Sequence, residues 1–401
     1  MHVVYKMWIA LVPLVLISVG CGEQHGVGQD ASLSDSSVEL DGQAADSGRD
    51  AAGAICTSSD DCQAVQVASG LFHSCALMRS GRVACWGSNG HGELGRADLE
   101  RSSVPLTVEG VPPATSIMVG PSYGCALSLE HQLWCWGGGL LDVSPTPSTD
   151  WLAAGSNAIA VDKFCYLAAD GRVFCWGGAP GGRPVSWLGT GTTDPLAQPT
   201  IPVVGLTDAV ELASGGSHVC VRTRSGVMWC WGAIGLSDPA GGFATPALTP
   251  VQVLEGVQQI SAAAGCTCAL LAPMDLRCWG WNSYGQIGVG STDEWVHSPT
   301  AVLLPAGAEV TRVSAALDHA CAVEGDGHVL CWGRNDHGQL GVAGTADSNV
   351  PVQVQDLDDV IFVSVETDYS CAVRASGEVW CWGATPSGQL SDRPVQVEGL
   401  R

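Results

Sequence analysis

An all-β repeat array, of the solenoid or propeller kind, is the fold the sequence predicts, and three observations predict it. The stretch Cys75-Ala-Leu-Met-Arg-Ser-Gly-Arg-Val-Ala-Cys85-Trp86-Gly87 recurs seven times, its second cysteine falling at Cys85, Cys135, Cys175, Cys230, Cys278, Cys331 and Cys381. The partner cysteines, at one fixed spacing, are Cys75, Cys125, Cys165, Cys220, Cys268, Cys321 and Cys371. Self-similarity at a period of about 40–55 residues marks stacked or radial repeats rather than two or three ordinary domains. The third observation is composition: 52 glycines and only 14% charged residues suit short strands and tight turns better than long surface helices.

Each copy reads as strands. Ala64-Val-Gln-Val-Ala-Ser-Gly70 alternates apolar and small or polar residues. Phe72 to Leu77 follows, Met78 to Arg82 turns around Gly81, and Val83 to Trp86 returns. Pairing symmetric about Ser80 sets Cys75 opposite Cys85, within reach of a disulfide. Eighteen cysteines in regular pairs point to an oxidising compartment. The competing readings are reduced core cysteines and zinc, but structural zinc sites favour closer pairs.

Ahead of the repeats, Met7 to Gly20 is apolar apart from Ser18 and has the proportions of a signal peptide. With Ser18-Val-Gly-Cys21 at its end it resembles a bacterial lipoprotein signal, residues 1–21, which makes Cys21 the lipidation residue; ordinary secretion with cleavage nearby is the alternative. Ser18 stands where such signals usually carry Leu. Residues 22–62 read as an acidic, disordered tether. It ends in a small loop, Cys56-Thr-Ser-Ser-Asp-Asp-Cys62, closed by its own disulfide. That loop lacks the alternating oxygen ligands and distal Glu of a calcium loop. Both the tether and residues 63–401 are acidic within a net charge of −23, which argues against a nucleic-acid partner.

After Cys-Trp-Gly the first unit continues Ser88-Asn-Gly-His-Gly-Glu-Leu-Gly95. Similar stretches are Gly285-Gln-Ile-Gly288, Gly338-Gln-Leu-Gly341 and, imperfectly, Gly388-Gln-Leu-Ser391, whereas units two, three and four lack the pattern. Full units end in a Pro-x-x-Val strand, as at Pro105, Pro250 and Pro351. In this order the motifs resemble the regulator of chromosome condensation repeat over residues 63–401. The added cysteine pairs look like secreted bacterial relatives of that family. The resemblance implies a seven-bladed β-propeller. The first unit has no Pro-Val segment before Ala64, while the chain finishes with Arg393-Pro-Val-Gln-Val-Glu-Gly-Leu400. The C-terminal strand is therefore expected to complete the first blade and close the ring, hiding free strand edges.

Chemistry is sparse. Gly120-Pro-Ser-Tyr-Gly124 matches a serine-hydrolase pattern but sits between two strands, not at a strand-to-helix elbow. His73, His218 and His319 precede the first cysteine of their units by two residues, and Tyr123, Lys163, Cys266 and Tyr369 hold the same place elsewhere. This reads as a recurring structural contact more readily than a metal site. If Cys21 is lipidated and the other pairs form, Cys266 is left odd. The fifteen tryptophans invite a photoreceptor reading, since a plant ultraviolet sensor shares the implied fold. Its Gly-Trp-Arg-His-Thr motif is absent, and core packing accounts better for the indoles. No catalytic residue, cofactor or metal is expected.

Variable loops on a rigid scaffold are where binding residues tend to sit. Trp187, Phe243 and Trp295 are the candidate binding-loop aromatics, weighed against packing onto the scaffold. The expected protein is a monomeric, non-enzymatic propeller, carried as an outer-membrane lipoprotein or on the cell surface of a Gram-negative bacterium. It touches the membrane only through the lipid anchor and binds a protein partner or a surface polymer. The alternative is an extracellular glycan hydrolase or lyase. Guanine-nucleotide exchange, an activity of one member of the resembled family, ranks lower because no interface residue can be matched and the signal opposes it.

Overall fold

The computed structural model describes residues 62–138, 145–149, 157–162, 165–177, 186–194, 201–236, 245–271 and 275–400. The expectations placed on residues 1–61, with Cys21 and Cys56, and on Phe243 lie outside these. Seven separate sheets are formed. Blade one holds β1 (Ala64–Ser69), β2 (His73–Met78), β3 (Val83–Ser88) and β4 (Arg101–Thr107). Blade two holds β5 (Ala114–Val119), β6 (Tyr123–Ser128) and β7 (Leu133–Gly137), and blade three β8 (Ala158–Asp162), β9 (Cys165–Ala168) and β10 (Val173–Cys175). Blade four holds β11 (Ala209–Ser214), β12 (His218–Thr223), β13 (Met228–Gly232) and β14 (Ala247–Leu254). Blade five holds β15 (Val257–Ala262), β16 (Cys266–Leu271), β17 (Asp275–Trp281) and β18 (Trp295–Ala301). Blade six holds β19 (Val310–Ala315), β20 (His319–Glu324), β21 (Val329–Gly333) and β22 (Ser348–Gln353). Blade seven holds β23 (Val360–Glu366), β24 (Tyr369–Arg374), β25 (Val379–Ala384) and β26 (Leu390–Gln396). In blades two and three the fourth-strand position is marked by single bridges, Cys135 with Ser148 and Phe174 with Pro202.

The cysteine hairpins form as the spacing requires. Gly81, at φ +85°, turns the chain between β2 and β3, and a side chain there would collide with Pro113. Cys75 then faces Cys85 with Cα atoms 4.0 Å apart, and the pair is bonded. The six other pairs are bonded in the same register, with Cα separations of 4.0–4.1 Å. On the loop-entropy account each contributes about 2–3 kcal/mol. Cys62 is also disulfide-bonded. Cys266 keeps its thiol, which is buried and donates to the Ala316 carbonyl at 3.1 Å.

First strands touch in the cyclic order β1, β5, β8, β11, β15, β19, β23 and back to β1, so the ring is closed. Side chains on these strands stitch neighbours together. Gln66 both donates to the Ile117 carbonyl (2.8 Å) and accepts from its N–H (3.1 Å), and Gln259 does the same to Val313. Two residues further along, Asp162, Ser261, Ser314 and Ser364 accept from the backbone N–H of Ser214, Ala315, Val365 and Ser69. These bonds satisfy backbone groups that face away from the second strand, because each first strand is an edge of its own sheet.

The tryptophan of Cys-Trp-Gly is buried in every blade. In blades two, six and seven its indole N–H reaches back across the seam to a carbonyl of the preceding blade: Trp136 to Glu93, Trp332 to Gln286, Trp382 to Gln339, each at 2.8 Å. The carbonyl is presented by the Gly-Gln-Leu-Gly loop, which Asn89, Asn282 and Asn335 hold through bonds from both ends of their amides. In each such loop the Leu or Ile is fully buried beneath the next tryptophan, as Leu94, Ile287 and Leu340 show.

One expectation is corrected. The first sheet is complete in β1–β4, and the C-terminal β26 pairs with β25 in the seventh sheet, not in the first. Each Pro-x-x-Val strand pairs with the Cys-Trp-Gly strand of its own unit, so the blade boundary coincides with the repeat boundary. The chain end still takes part in closure. Leu400 is fully buried, and Val397 packs with it against Ala64, Val67 and Met78 of blade one. Ala64 N–H donates to the Gly377 carbonyl at 3.0 Å, the bond that Ala114 makes to Gly81 and Val360 to Gly327 at other seams.

Candidate binding face

Strands within each sheet run antiparallel, so the first-to-second turns and the third-to-fourth loops open at the same end of every blade. The Gln66 and Ser364 stitches join first strands at equal height, so all blades present that end to one face of the ring. The irregular stretches that include Trp187 and Trp295 are third-to-fourth connections and lie on this loop face. The second-to-third hairpins form the other face.

The two described candidate aromatics differ in setting. Trp187 belongs to Ser186-Trp187-Leu188-Gly189, which takes the place of a Gly-Gln-Leu-Gly loop. Leu188 is fully buried, Gly189 has φ +68° like Gly95 at +70°, and the Trp187 carbonyl accepts from Trp231 Nε1 at 2.7 Å. Its indole donates to the Trp176 carbonyl at 3.4 Å and packs on the seam between blades three and four. Unit three therefore keeps the loop's work without its glutamine; the surviving signal is Leu-Gly before a proline strand. Ile234-Gly235 plays this part in unit four, its carbonyl accepting from Trp279 Nε1 at 3.1 Å.

Trp295 is half-buried at the start of β18, opposite Trp281 and stacked with His297 at 6.4 Å. It lines a groove of ≈300 Å³ between blades four and five together with Trp279, His218, Thr267 and Pro246. Beside the groove, Trp281 meets Tyr284 edge-on at 5.5 Å, and the Arg334 guanidinium lies over the Tyr284 ring at 5.2 Å. Arg334 is held by Asp318 (2.9 Å) and Asp336, with Asp368 at 4.0 Å. His337 sits between Asp336 and Asp368 at 2.9 and 3.5 Å. Burial pushes the Asp336 carboxyl up, but Arg334 more than offsets this and holds it below the usual range. Sequence reasoning did not find Tyr284, Arg334 or the aspartates, because they gather from three blades.

Among the described residues, those two before a first cysteine do not form a common cluster. His218 Nε2 pairs with Thr267 Oγ1 and His319 Nε2 with Ser370 Oγ, each at 2.8 Å and each across its own seam. Tyr369 donates to the Gly70 carbonyl at 2.7 Å across the closing seam. His73 is fully buried, and burial lowers its pKa to about 4, against a smaller opposing effect of the Tyr123 backbone. Ser122 of the Gly-Pro-Ser-Tyr-Gly stretch lies in the β5–β6 turn, its carbonyl accepting from Gly138 N–H at 2.9 Å. On the opposite face Glu324, Asp326 and His328 group at a hairpin tip, exposed or partly so, with His328 Nδ1 2.9 Å from Asp326.

These observations define a seven-bladed propeller stapled by one disulfide per blade. Two forms of the Regulator of chromosome condensation (RCC1) repeat are detected in it, at residues 64–93 and 310–339 and at residues 80–127, 278–323 and 326–373. The chain is 28% identical over 318 residues to the ultraviolet-B receptor UVR8 of Arabidopsis thaliana, covering 74% of this chain and 71% of the receptor. It is 26% identical over 303 residues to the mitochondrial RCC1 domain-containing protein RUG3 of the same plant, covering 73% of this chain and 59% of that one. In fold it is similar to a chain of the crystal structure of Kap60 bound to yeast RCC1 (Prp20), with TM-score 0.67, 19% identity, and 94% and 91% of the two chains covered.

Proposed function

We propose that the protein is a non-enzymatic, exported propeller of the cell envelope that binds a protein partner or a surface polymer through its loop face. The observation that carries this is a chain of partly buried side chains on the face where the irregular loops open: Trp295, which lines the groove, faces Trp281, Trp281 meets Tyr284, and Tyr284 lies under Arg334. Aromatic and arginine side chains partly exposed beside a cleft are the usual anchors of protein interfaces. The yeast RCC1 chain, similar in fold, is described as bound to Kap60, which supports protein binding as a use of such propellers. Seven bonded cysteine pairs and the signal-like residues 1–21 support export, with lipidation at Cys21.

The glycan-cleaving alternative needs a protonated acid facing a second carboxylate. Asp336 and Asp368 flank His337 at the loop face, but Asp336 is paired with Arg334 and stays anionic. The binding reading is tested by exposing the oxidised chain to envelope proteins and glycans and mapping contacts by cross-linking. Cross-links at the blade-five loop face support it. Turnover of a glycan, abolished by Asp368→Asn, would replace it with the enzymatic reading.

A further inference from the structure

The seam between blades seven and one lacks a part that five other seams have. Leu94, Leu188, Ile234, Ile287 and Leu340 each plug a seat beneath the next blade's tryptophan. At the sixth-to-seventh seam Leu340 belongs to one buried cluster with Cys331, Val354 and Trp382, against which Val352 packs. Their counterparts at the closing seam are Cys381, Val395, Val397 and Trp86, and these line a cavity of ≈160 Å³. The residue that should fill it, Leu390, is instead 71% exposed.

Loop length explains the vacancy. Ten residues lie between Leu340 and Pro351, but only three between Leu390 and Pro394. The shorter loop draws Leu390 into β26, where it pairs with Ala384 and turns away from the seam. The carbonyl is redirected as well. Gln339 O accepts from Trp382 Nε1, whereas Gln389 O accepts from the N–H and hydroxyl of Thr385. Among the described residues Trp86 has no carbonyl of this kind to meet its indole.

We propose that this seat binds a segment of a partner polypeptide that inserts a leucine or isoleucine side chain and offers its backbone carbonyl to Trp86. The filled seats define the ligand: a branched apolar side chain of that volume with a backbone acceptor at the preceding residue, as in four of them, or at the same residue, as at Ile234. Ser103, Thr385, Ser387 and Gln389 at the cavity wall leave polar groups for the flanking backbone. The seat goes beyond the blade-five reading and lies at another seam.

The probe is acetyl-Gly-Gln-photoleucine-Gly-amide, irradiated with the full oxidised chain and mapped by mass spectrometry. Label on Trp86, Val104 and 395–398, competed by acetyl-Gly-Gln-Leu-Gly-amide and at least about tenfold less well by its alanine counterpart, is expected. Inserting the seven residues 341–347 after Leu390 restores the longer loop and should abolish this label, while Trp295→Ala should leave it unchanged. Label scattered over the surface, equal competition by the alanine peptide, or undiminished labelling of the lengthened-loop variant overturns the proposal. So does concentration-dependent association removed by Leu390→Ser, which would assign the seat to a second copy of this chain.

Discussion

Tyr369 Oη lies 2.9 Å from Ser74 Oγ, joining the last blade to the first across 295 residues of sequence. The same hydroxyl also reaches the Gly70 and His73 carbonyls at 2.7 and 2.9 Å. Tyr369 is 1% exposed, so none of these groups can turn to water instead. Closure of this ring therefore rests on side chains and packing at one seam rather than on a strand exchanged between the chain ends. Tyr369→Phe keeps the ring's shape and removes the hydroxyl. It should lower stability by about 1–3 kcal/mol, read as a shift in the denaturant midpoint at unchanged slope.

The chain end should matter as packing. Leu400→Ala empties a fully buried position between blades seven and one and should destabilise the domain by about 2–5 kcal/mol. Deleting residues 392–401 also removes most of β26 and should lower the thermal midpoint further. Unchanged melting of the truncated protein would refute the role given to this segment.

The staples should be individually modest and collectively large. Replacing Cys75 and Cys85 together with serine should cost about 2–3 kcal/mol, measured by chemical denaturation of the oxidised protein. Full reduction should lower the midpoint far more than any single pair.

How legible was this fold? The hairpins were, because Cys75 and Cys85 fix both a register and a covalent bond. The tryptophan and glycine positions followed at a constant offset. A period does not fix its own phase, however, and so the sequence points the C-terminal strand to the first blade where the structure pairs it in the seventh. The structural part Trp187 plays at its seam is not legible, because unit three keeps only the leucine and glycine of the signature and replaces the glutamine. The stitches by Gln66, Glu211 and Gln259 left one trace, a polar residue third in a first strand, indistinguishable in sequence from an outward-facing position. Of the blade-five site only Trp295 was legible. Tyr284, Arg334 and Asp368 meet through the ring's curvature, which no single repeat encodes.

His73 makes stability depend on pH. Its folded pKa of about 4 lies below the ordinary imidazole value of 6.5, so between these values the unfolded chain binds more protons than the folded one. Stability should be full above about pH 6.5 and fall as pH drops toward 4, by about 3 kcal/mol in all. Glu211 acts in the opposite sense. Burial, only partly offset by Arg222, raises its pKa above 4.5, so its contribution weakens as pH rises through that range. Urea midpoints for His73→Leu measured across pH 4 to 7 should show a flatter profile than those of the parent.

Binding and stability should separate at the loop face. Trp295 and Tyr284 are only half-buried, so alanine at either should change stability little. Loss at a partner surface should be about 1–2 kcal/mol or more for each, measured by titration calorimetry.

The most direct test is hydrogen exchange on the oxidised chain, alone and saturated with a partner captured through it. The account predicts new protection in the loop-face segments 281–297 and 334–338, with the hairpins at 79–82, 129–132 and 325–328 unchanged. Protection confined to those hairpins, with the blade-five loops exchanging as before, would contradict it.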